Sequence, residues 1–212
     1  MDDAPGSESD LKAGEVVFIS GELDDDGNAT AAVVVTDDLL RGPVESIDLA
    51  AETIVVLGQT VKVRVDTAFD DAVSTNSLEG LSTGDTVEVD GFLSPEGRII
   101  ATRIGFDDGD DLQVVGFVSS LDGGAATFSI GSLLIDYAGA SLEDFDDADL
   151  AEGQIVEVEG DALGGSGELI ATEIELGPDD LGADNDDRAE IEGVVTAVNS
   201  DTEFEENGIV IT

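Results

Sequence analysis

The stretch that decides the fold is residues 81–104, LSTGDTVEVDGFLSPEGRIIATRI, because close copies of it occur twice more in the chain. One copy begins at Leu11 with LKAGEVVFISGELDDDGNATAAVV, and the other begins at Leu150 with LAEGQIVEVEGDALGGSGELIATEI. The first glycine of each copy marks the repeat, at spacings of 70 and 69 residues, as Gly14, Gly84 and Gly153. Self-similarity at a fixed period predicts a tandem array of one module, about 70 residues long.

A second shared block precedes the stretch in each module. It reads GPVESI from Gly42, GFVSSL from Gly116 and GVVTAV from Gly193. The blocks predict two complete modules between two partial ones: a second half at 1–38, complete modules at 42–106 and 112–176, and a first half at 189–212. We interpret this as a window from a longer array, and we expect the two partial modules to stay apart rather than close into one barrel.

Each complete module has the strand order of a small barrel. Apolar and polar side chains alternate in five short segments, which is the pattern of half-buried strands. Three strands come first, then a short helical or loop link, then two more strands. That order predicts an all-β fold of tandem small five-stranded OB-like Greek-key barrels with little helix. We expect helix only near Ser77–Leu81 and Ser141–Leu150.

The strand pattern also predicts which side chains fill the barrel. In the first complete module these are apolar residues of the last two strands, namely Val87, Val89, Ile100 and Ile104. A module of this size is near the lower limit at which one core stabilises itself. We therefore expect neighbouring modules to pack against one another or to be stiffened at their junctions.

The charge of the chain excludes several classes of partner. It has 51 acidic residues against 7 basic ones, a formal net charge of −44. Such a field repels phosphate backbones and anionic lipid surfaces, so we expect no nucleic-acid partner. The acidic surface is typical of proteins adapted to high salt.

The residue types needed for most enzyme chemistry are missing. The chain contains no His and no Cys, which removes the commonest general base and thiolate nucleophiles. Nucleotide-binding, esterase and metalloprotease motifs are also absent from the sequence. Carboxylates are so abundant that a chance pair of them carries no signal. We expect no enzymatic activity and no resident organic cofactor.

Clusters of acidic residues at the module junctions form a candidate calcium site. Calcium prefers six to eight oxygen ligands, largely carboxylates and carbonyls on loops. The candidate ligands are Asp107, Asp108, Asp110, Asp111, Asp179, Asp180, Asp184 and Asp186. The alternative is a solvated acidic linker that binds no metal, and the sequence leaves both readings open.

No segment reaches the roughly 18 apolar residues that a membrane span needs. The first residues, MDDAPGSESD, have neither the basic region nor the apolar region of a signal peptide. A mature chain has the same features, so they leave the compartment open.

The repeated stretch resembles a known family. The pattern L-x-x-G-x-x-V-x-V-x-G followed by G-x-[IL]-I-A-T-x-I spans residues 81–104 and 150–174. With the preceding G-x-V block, it resembles the bacterial domain of unknown function 5666. That resemblance implies tandem β-modules on an exported or lipid-anchored, non-enzymatic protein. It implies an extracellular, cell-surface or periplasmic location and supplies no site residues.

These observations predict a multi-module spacer, surface or matrix component with calcium as a candidate stiffener of its junctions. Its expected partners are neighbouring modules and cell-surface or matrix proteins or polysaccharide. The alternative is a ligand-binding module that recognises a carbohydrate or a protein on an exposed barrel face. Solvent-facing aromatic residues on one face would favour that alternative, and the candidates are Phe69, Phe92, Phe106 and Phe117.

Overall fold

The computed structural model describes residues 11–23, 29–36, 38–143, 145, 149–177, 195–200, 203–206 and 209–211. The first two strands are β1 (Val17–Leu23) and β2 (Ala29–Thr36). Next come β3 (Leu40–Asp48), β4 (Thr53–Val56), β5 (Gln59–Lys62), β6 (Ala68–Phe69), β7 (Thr86–Leu93) and β8 (Ile99–Phe106). The following group is β9 (Leu112–Asp122), β10 (Thr127–Ile130), β11 (Leu133–Asp136), β12 (Ser141–Glu143), β13 (Ile155–Leu163) and β14 (Leu169–Leu176). The last three are β15 (Val195–Ser200), β16 (Glu203–Glu206) and β17 (Ile209–Ile211).

Strands β3, β4, β5, β7 and β8 form the first closed barrel. β3 pairs antiparallel with β4 and with β7, and β4 and β7 pair antiparallel with β5 and β8 respectively. A short parallel pairing of β5 with β8, between Val61 and Ile99, closes the ring. This is the pairing order of an OB-like Greek key, as the sequence predicted.

The second barrel repeats the first, strand for strand. β9 pairs antiparallel with β10 and β13, β10 with β11, and β13 with β14. β11 closes the ring by parallel pairing with β14, between Ile135 and Leu169. The prediction of tandem five-stranded barrels is confirmed.

The link between the third and fourth barrel strands differs in the two modules. In the first it contains two short 3-10 helices, Ser74–Asn76 and Leu78–Gly80, close to the predicted position. In the second, the prediction of helix was wrong for Ser141–Glu143, which is β12 and pairs in parallel with β14. Phe145 beyond it is buried. The parallel pairing takes up backbone hydrogen bonds of this part of the link, as the pairing of β6 with β8 does in the first module. Residues 144 and 146–148 of the predicted range lie outside the described residues.

A β-bulge in the last hairpin decides which side chains enter the barrel. Opposite β7, Asp90 pairs with Arg103 and Gly91 with Ala101, so Thr102 is an extra residue. An extra residue reverses the alternation of faces along the strand. Val87, Val89 and Ile104 are buried as predicted, but the prediction for Ile100 was wrong, because Ile99 takes the inward position.

The β-bulge occurs at the corresponding glycine in each of the three copies of the repeat. The register shifts at Gly21 in β1, at Gly91 in β7 and at Gly160 in β13. A Cβ atom at Gly91 would collide with the carbonyl oxygen of Ile100, and one at Gly160 with that of Ile170. The last glycine of the V-x-V-x-G motif is therefore needed for close approach of the two backbones at the bulge.

The partial modules form small sheets of their own. β1 pairs antiparallel with β2, and β16 pairs antiparallel with β15 and with β17. Among the strands that the structure describes, these two sheets are separate from each other and from the barrels. Within the same described segments, no helix is long and apolar enough to cross a membrane.

Candidate functional site

The first strands of the two barrels pair with each other. β3 and β9 run antiparallel, with Leu40 opposite Val114 and Arg41 opposite Gln113. The backbone N–H of Val115 donates to the carbonyl oxygen of Leu39 at 2.9 Å, which extends the ladder by one residue. The two barrels therefore share one continuous sheet and are not connected only by a linker.

The hairpin turns of the two barrels meet beside this ladder. The Ser132 hydroxyl donates to the carbonyl oxygen of Gly58 at 2.8 Å. The side-chain amide of Gln59, which is buried, donates to the carbonyl oxygens of Leu57 at 2.9 Å and Ile130 at 2.7 Å. Gln59 thus fixes the turn of its own barrel and that of its neighbour with one NH₂ group.

These contacts follow a local twofold axis. Leu40 and Val114 occupy equivalent positions, each two residues before the glycine of the G-x-V block. Gly58 and Ser132 are also equivalent, since each is the second residue of its hairpin turn. Equivalent residues that face each other define a self-complementary interface. Each barrel therefore has one copy of this surface, and both copies are occupied by the contact between the two barrels.

The junction before the first barrel is polar instead. Arg103 of β8 is only 2% exposed, and its guanidinium contacts three carboxylates. It bonds Glu88 at 2.5 Å, Asp70 at 3.0 Å and Asp90 at 3.2 Å. Lys12, from the segment before β1, adds ion pairs to Glu88 at 3.3 Å and to Asp70 at 3.8 Å.

The linker between β2 and β3 completes this Arg103 cluster. Asp38 of the linker pairs with Arg41 at 2.8 Å. Burial raises the pKa of Asp38 and raises that of Asp90 to about 7, with the nearby Asp38 charge as a second cause. Arg103 opposes the rise at Asp90 without cancelling it, because one guanidinium is shared among three carboxylates. The cluster fixes the preceding segment onto the first barrel.

Comparison with known families identifies the repeated unit. Residues 41–105 and 115–175 each match the family described as Domain of unknown function (DUF5666), and together these segments make up more than half of the chain. The chain belongs to the DUF5666 family. Each match covers most of one closed barrel, so one barrel is one DUF5666 module. No curated protein and no solved structure matches the chain.

The second DUF5666 module lacks a counterpart of Arg103. Glu173 of β14 takes its place at the bulge, opposite Glu159, and Glu175 lies opposite Glu157. Four glutamates thus share one outer face where the first module has a buried arginine. Like charges directly opposite each other on neighbouring strands are destabilising.

This difference predicts that Glu173→Arg stabilises the second module. The new guanidinium lies directly opposite Glu159, so we expect a gain of about 1 kcal/mol at low salt. The melting temperature of the parent chain should rise with NaCl, because salt screens repulsion, and the variant should show a smaller rise. Calorimetry at low and molar NaCl measures both effects. Glu173→Gln is the control that removes one charge without adding another, and an equal gain in it would contradict the pairing argument.

The structure describes only half of the predicted calcium ligands. Asp107 is half-buried beside Arg41, whereas Asp108, Asp110 and Asp111 are exposed on the linker between the barrels. Asp179, Asp180, Asp184 and Asp186 lie outside the described residues. In the part of the chain that is described, no group of three or more acidic residues is placed to hold a metal ion. Calcium binding stays a prediction.

The four candidate aromatic residues do not lie on one face. Phe69 and Phe117 pack partly buried against the core, and Phe106 is 36% exposed at the end of β8. Phe92 is half-buried but is not among the residues packed against the core. The aromatic residues that fill the second barrel are Phe128 and Phe145. Phe92 and Phe106 are therefore the residues of this set that lie on the outer surface of the first barrel, Phe92 on β7 and Phe106 at the end of β8.

Sequence reasoning missed the residues that join the modules. The turn Gly131-Ser132 is recognisable from the sequence, but its contact with Gly58 and Gln59 is not. A polar Gln inside the apolar run IVVLGQTV was the available signal, since a buried amide needs hydrogen-bond partners.

Proposed function

We propose that this DUF5666 chain is a non-enzymatic, exported spacer, surface or matrix component whose modules act in fixed pairs. The observation that carries the proposal is the shared sheet between β3 and β9, together with the contact of the two hairpin turns. A backbone ladder beside a packed turn resists bending far better than a flexible linker does. A spacer needs that property to hold its ends at a set distance.

The composition supports the same function. Without His or Cys, the chain lacks the side chains of most nucleophilic and acid–base catalysts. A net charge of −44 keeps neighbouring molecules apart and soluble in a crowded, salty medium. Both features suit a protein that works outside the cell through its shape and surface.

A distance measurement between the two barrels tests the proposal. The chain has no Cys, so spin labels can be attached specifically to Thr60→Cys and Leu134→Cys, which are exposed and equivalent positions. We expect a narrow distance distribution by double electron–electron resonance, because the junction holds the barrels as one body. A broad distribution in the otherwise unchanged chain would show independent barrels and contradict the proposal.

A junction variant extends the test. Ser132→Glu places a charge and extra volume against the carbonyl oxygen of Gly58, so it should broaden the distribution. Ala138→Glu adds the same charge at an exposed site after β11 and should leave the distribution narrow. Equal broadening in both variants would mean that charge alone, rather than the turn contact, sets the flexibility.

A further inference from the structure

A cavity of about 240 Å³ lies on the outer face of the first barrel, at the junction with the preceding segment. Gly14 borders it on one side, and the β7–β8 hairpin forms the floor. Its polar lining comes from Arg64, Asp66, Ser94 and Thr102. One water needs only about 10–15 Å³ of such space, so the cavity is large enough to admit a small polar organic ligand.

The apolar wall of the cavity exists because of the bulge. The extra residue Thr102 reverses the alternation in β8, so Ile100 turns outward beside its cross-strand partner Phe92. Both side chains line the cavity and neither packs against the barrel core. A phenylalanine kept at the surface is available to a ligand rather than to the fold.

The bulged residue supplies an unused polar group. The Oγ1 atom of Thr102 is buried and has no hydrogen-bond partner among the residues that the structure describes. In the second module the equivalent hydroxyl, on Thr172, donates to the carbonyl oxygen of Glu159 at 3.3 Å. Buried hydroxyls are nearly always paired, and Thr102 lines the cavity, so a rotation about its χ1 angle would present this hydroxyl to a ligand there.

The second module shows that the fold does not require this lining. By strand register, Ala162 takes the place of Phe92, since it lies opposite Ile170 as Phe92 lies opposite Ile100. The loop after β11, residues 137–140, contains no arginine and no aspartate where the first module has Arg64 and Asp66. The same barrel therefore forms with none of these three side chains. Their presence together in the first module calls for a reason other than folding.

We propose that this cavity binds a neutral pyranose unit of a saccharide. The C–H groups on one face of a pyranose pack well on the negative face of an aromatic ring, here Phe92. Its hydroxyls can pair with the exposed Arg64–Asp66 ion pair, and one of them would accept from Thr102 after that rotation. A few polar groups around an apolar wall are the usual composition of a small-ligand site. Acidic sugars are excluded, because the net charge of −44 repels them. This activity goes beyond a spacer role.

The test uses the full chain and a panel of simple sugars. Glucose, galactose, mannose, N-acetylglucosamine and their short neutral oligomers are titrated while ¹H–¹⁵N NMR spectra are recorded. We expect at least one sugar to give saturable shifts at residues of the cavity. Glucuronate and galacturonate should bind at least about tenfold more weakly than the neutral sugars. No saturable shift across the panel, or tighter binding of the acidic sugars, would overturn the proposal.

Two pairs of variants locate the site. Phe92→Ala should weaken the binding at least about tenfold, whereas Phe106→Ala removes an exposed phenylalanine of the same barrel and should leave it unchanged. Thr102→Val removes the unpaired hydroxyl without loss of volume, so it should weaken binding while leaving the melting temperature equal or higher. Thr172→Val is its control in the second module. Unchanged affinity in both Phe92→Ala and Thr102→Val would show that the sugar binds elsewhere.

Discussion

Arg103→Met should lower the free energy of unfolding of the first barrel by about 3–5 kcal/mol, the usual effect of removing one partner from a buried ion cluster. Arg103 is 2% exposed and Asp90 is 1% exposed, so water cannot replace the lost contacts. Met has a similar length and keeps the space filled. The loss therefore reports on unpaired carboxylates rather than on a cavity.

The measurement is a urea titration at pH 8, where the Asp90 carboxyl is ionised, with unfolding monitored through the NMR signals of residues 40–106. Arg98→Met is the matched control, because Arg98 is exposed and forms an exposed ion pair with Glu96 at 3.7 Å. An exposed pair contributes about 0–1 kcal/mol, so this variant should be close to the parent. Similar losses in the two variants would contradict the view that the Arg103 cluster is the main polar anchor of this barrel.

A double variant separates the arginine from its partners. In Arg103→Met with Asp90→Leu, the buried carboxylate disappears together with the buried cation. Replacing both partners of a buried pair by apolar residues is often neutral. We therefore expect the double variant to recover much of the stability lost in Arg103→Met.

The repeat made the architecture predictable, because three copies of one pattern show which positions recur. Period-2 alternation, the glycine spacings and the strand order were enough to predict tandem five-stranded barrels. The bulge at Thr102 was not predicted, and Ile100 was therefore assigned to the wrong face. A bulge leaves no unique mark in a single strand, since only the pairing with β7 reveals the extra residue.

The junctions were harder to predict than the barrels. Packing between modules was expected from their small size, but the residues that make it were not. Gln59 and Ser132 act on carbonyl oxygens that are 71 and 74 residues away in sequence. Likewise, nothing in the sequence distinguishes Arg103 from the other basic residues. Only the fold places Asp70, Glu88 and Asp90 around it. A contact to a backbone carbonyl cannot be predicted from residue types, because every residue has that group.

Asp90 should make the first barrel less stable as the pH rises from 5 to 8. Its pKa is raised from 3.8 to about 7 in the folded chain, chiefly by burial. Between these two values the folded state holds a proton that the unfolded state has lost. The stabilisation is therefore complete below pH 3.8 and is lost as the pH rises through 7. The slope can reach about 1.4 kcal/mol per pH unit, which is the free energy that corresponds to one proton.

Asp90→Asn isolates this effect from the titration of the other acidic residues. Asparagine keeps the shape but cannot ionise, so the variant should lose the slope between pH 5 and 8 and be the more stable form at pH 8. Asp71→Asn removes an exposed charge from the same barrel and should keep the parental slope. Urea titrations at pH 5, 6, 7 and 8, followed by the same NMR signals, give the four values for each chain. If the parent and Asp90→Asn have parallel profiles, Arg103 holds Asp90 ionised throughout, and the carboxylate acts as a permanent ion-pair partner instead of a titrating group.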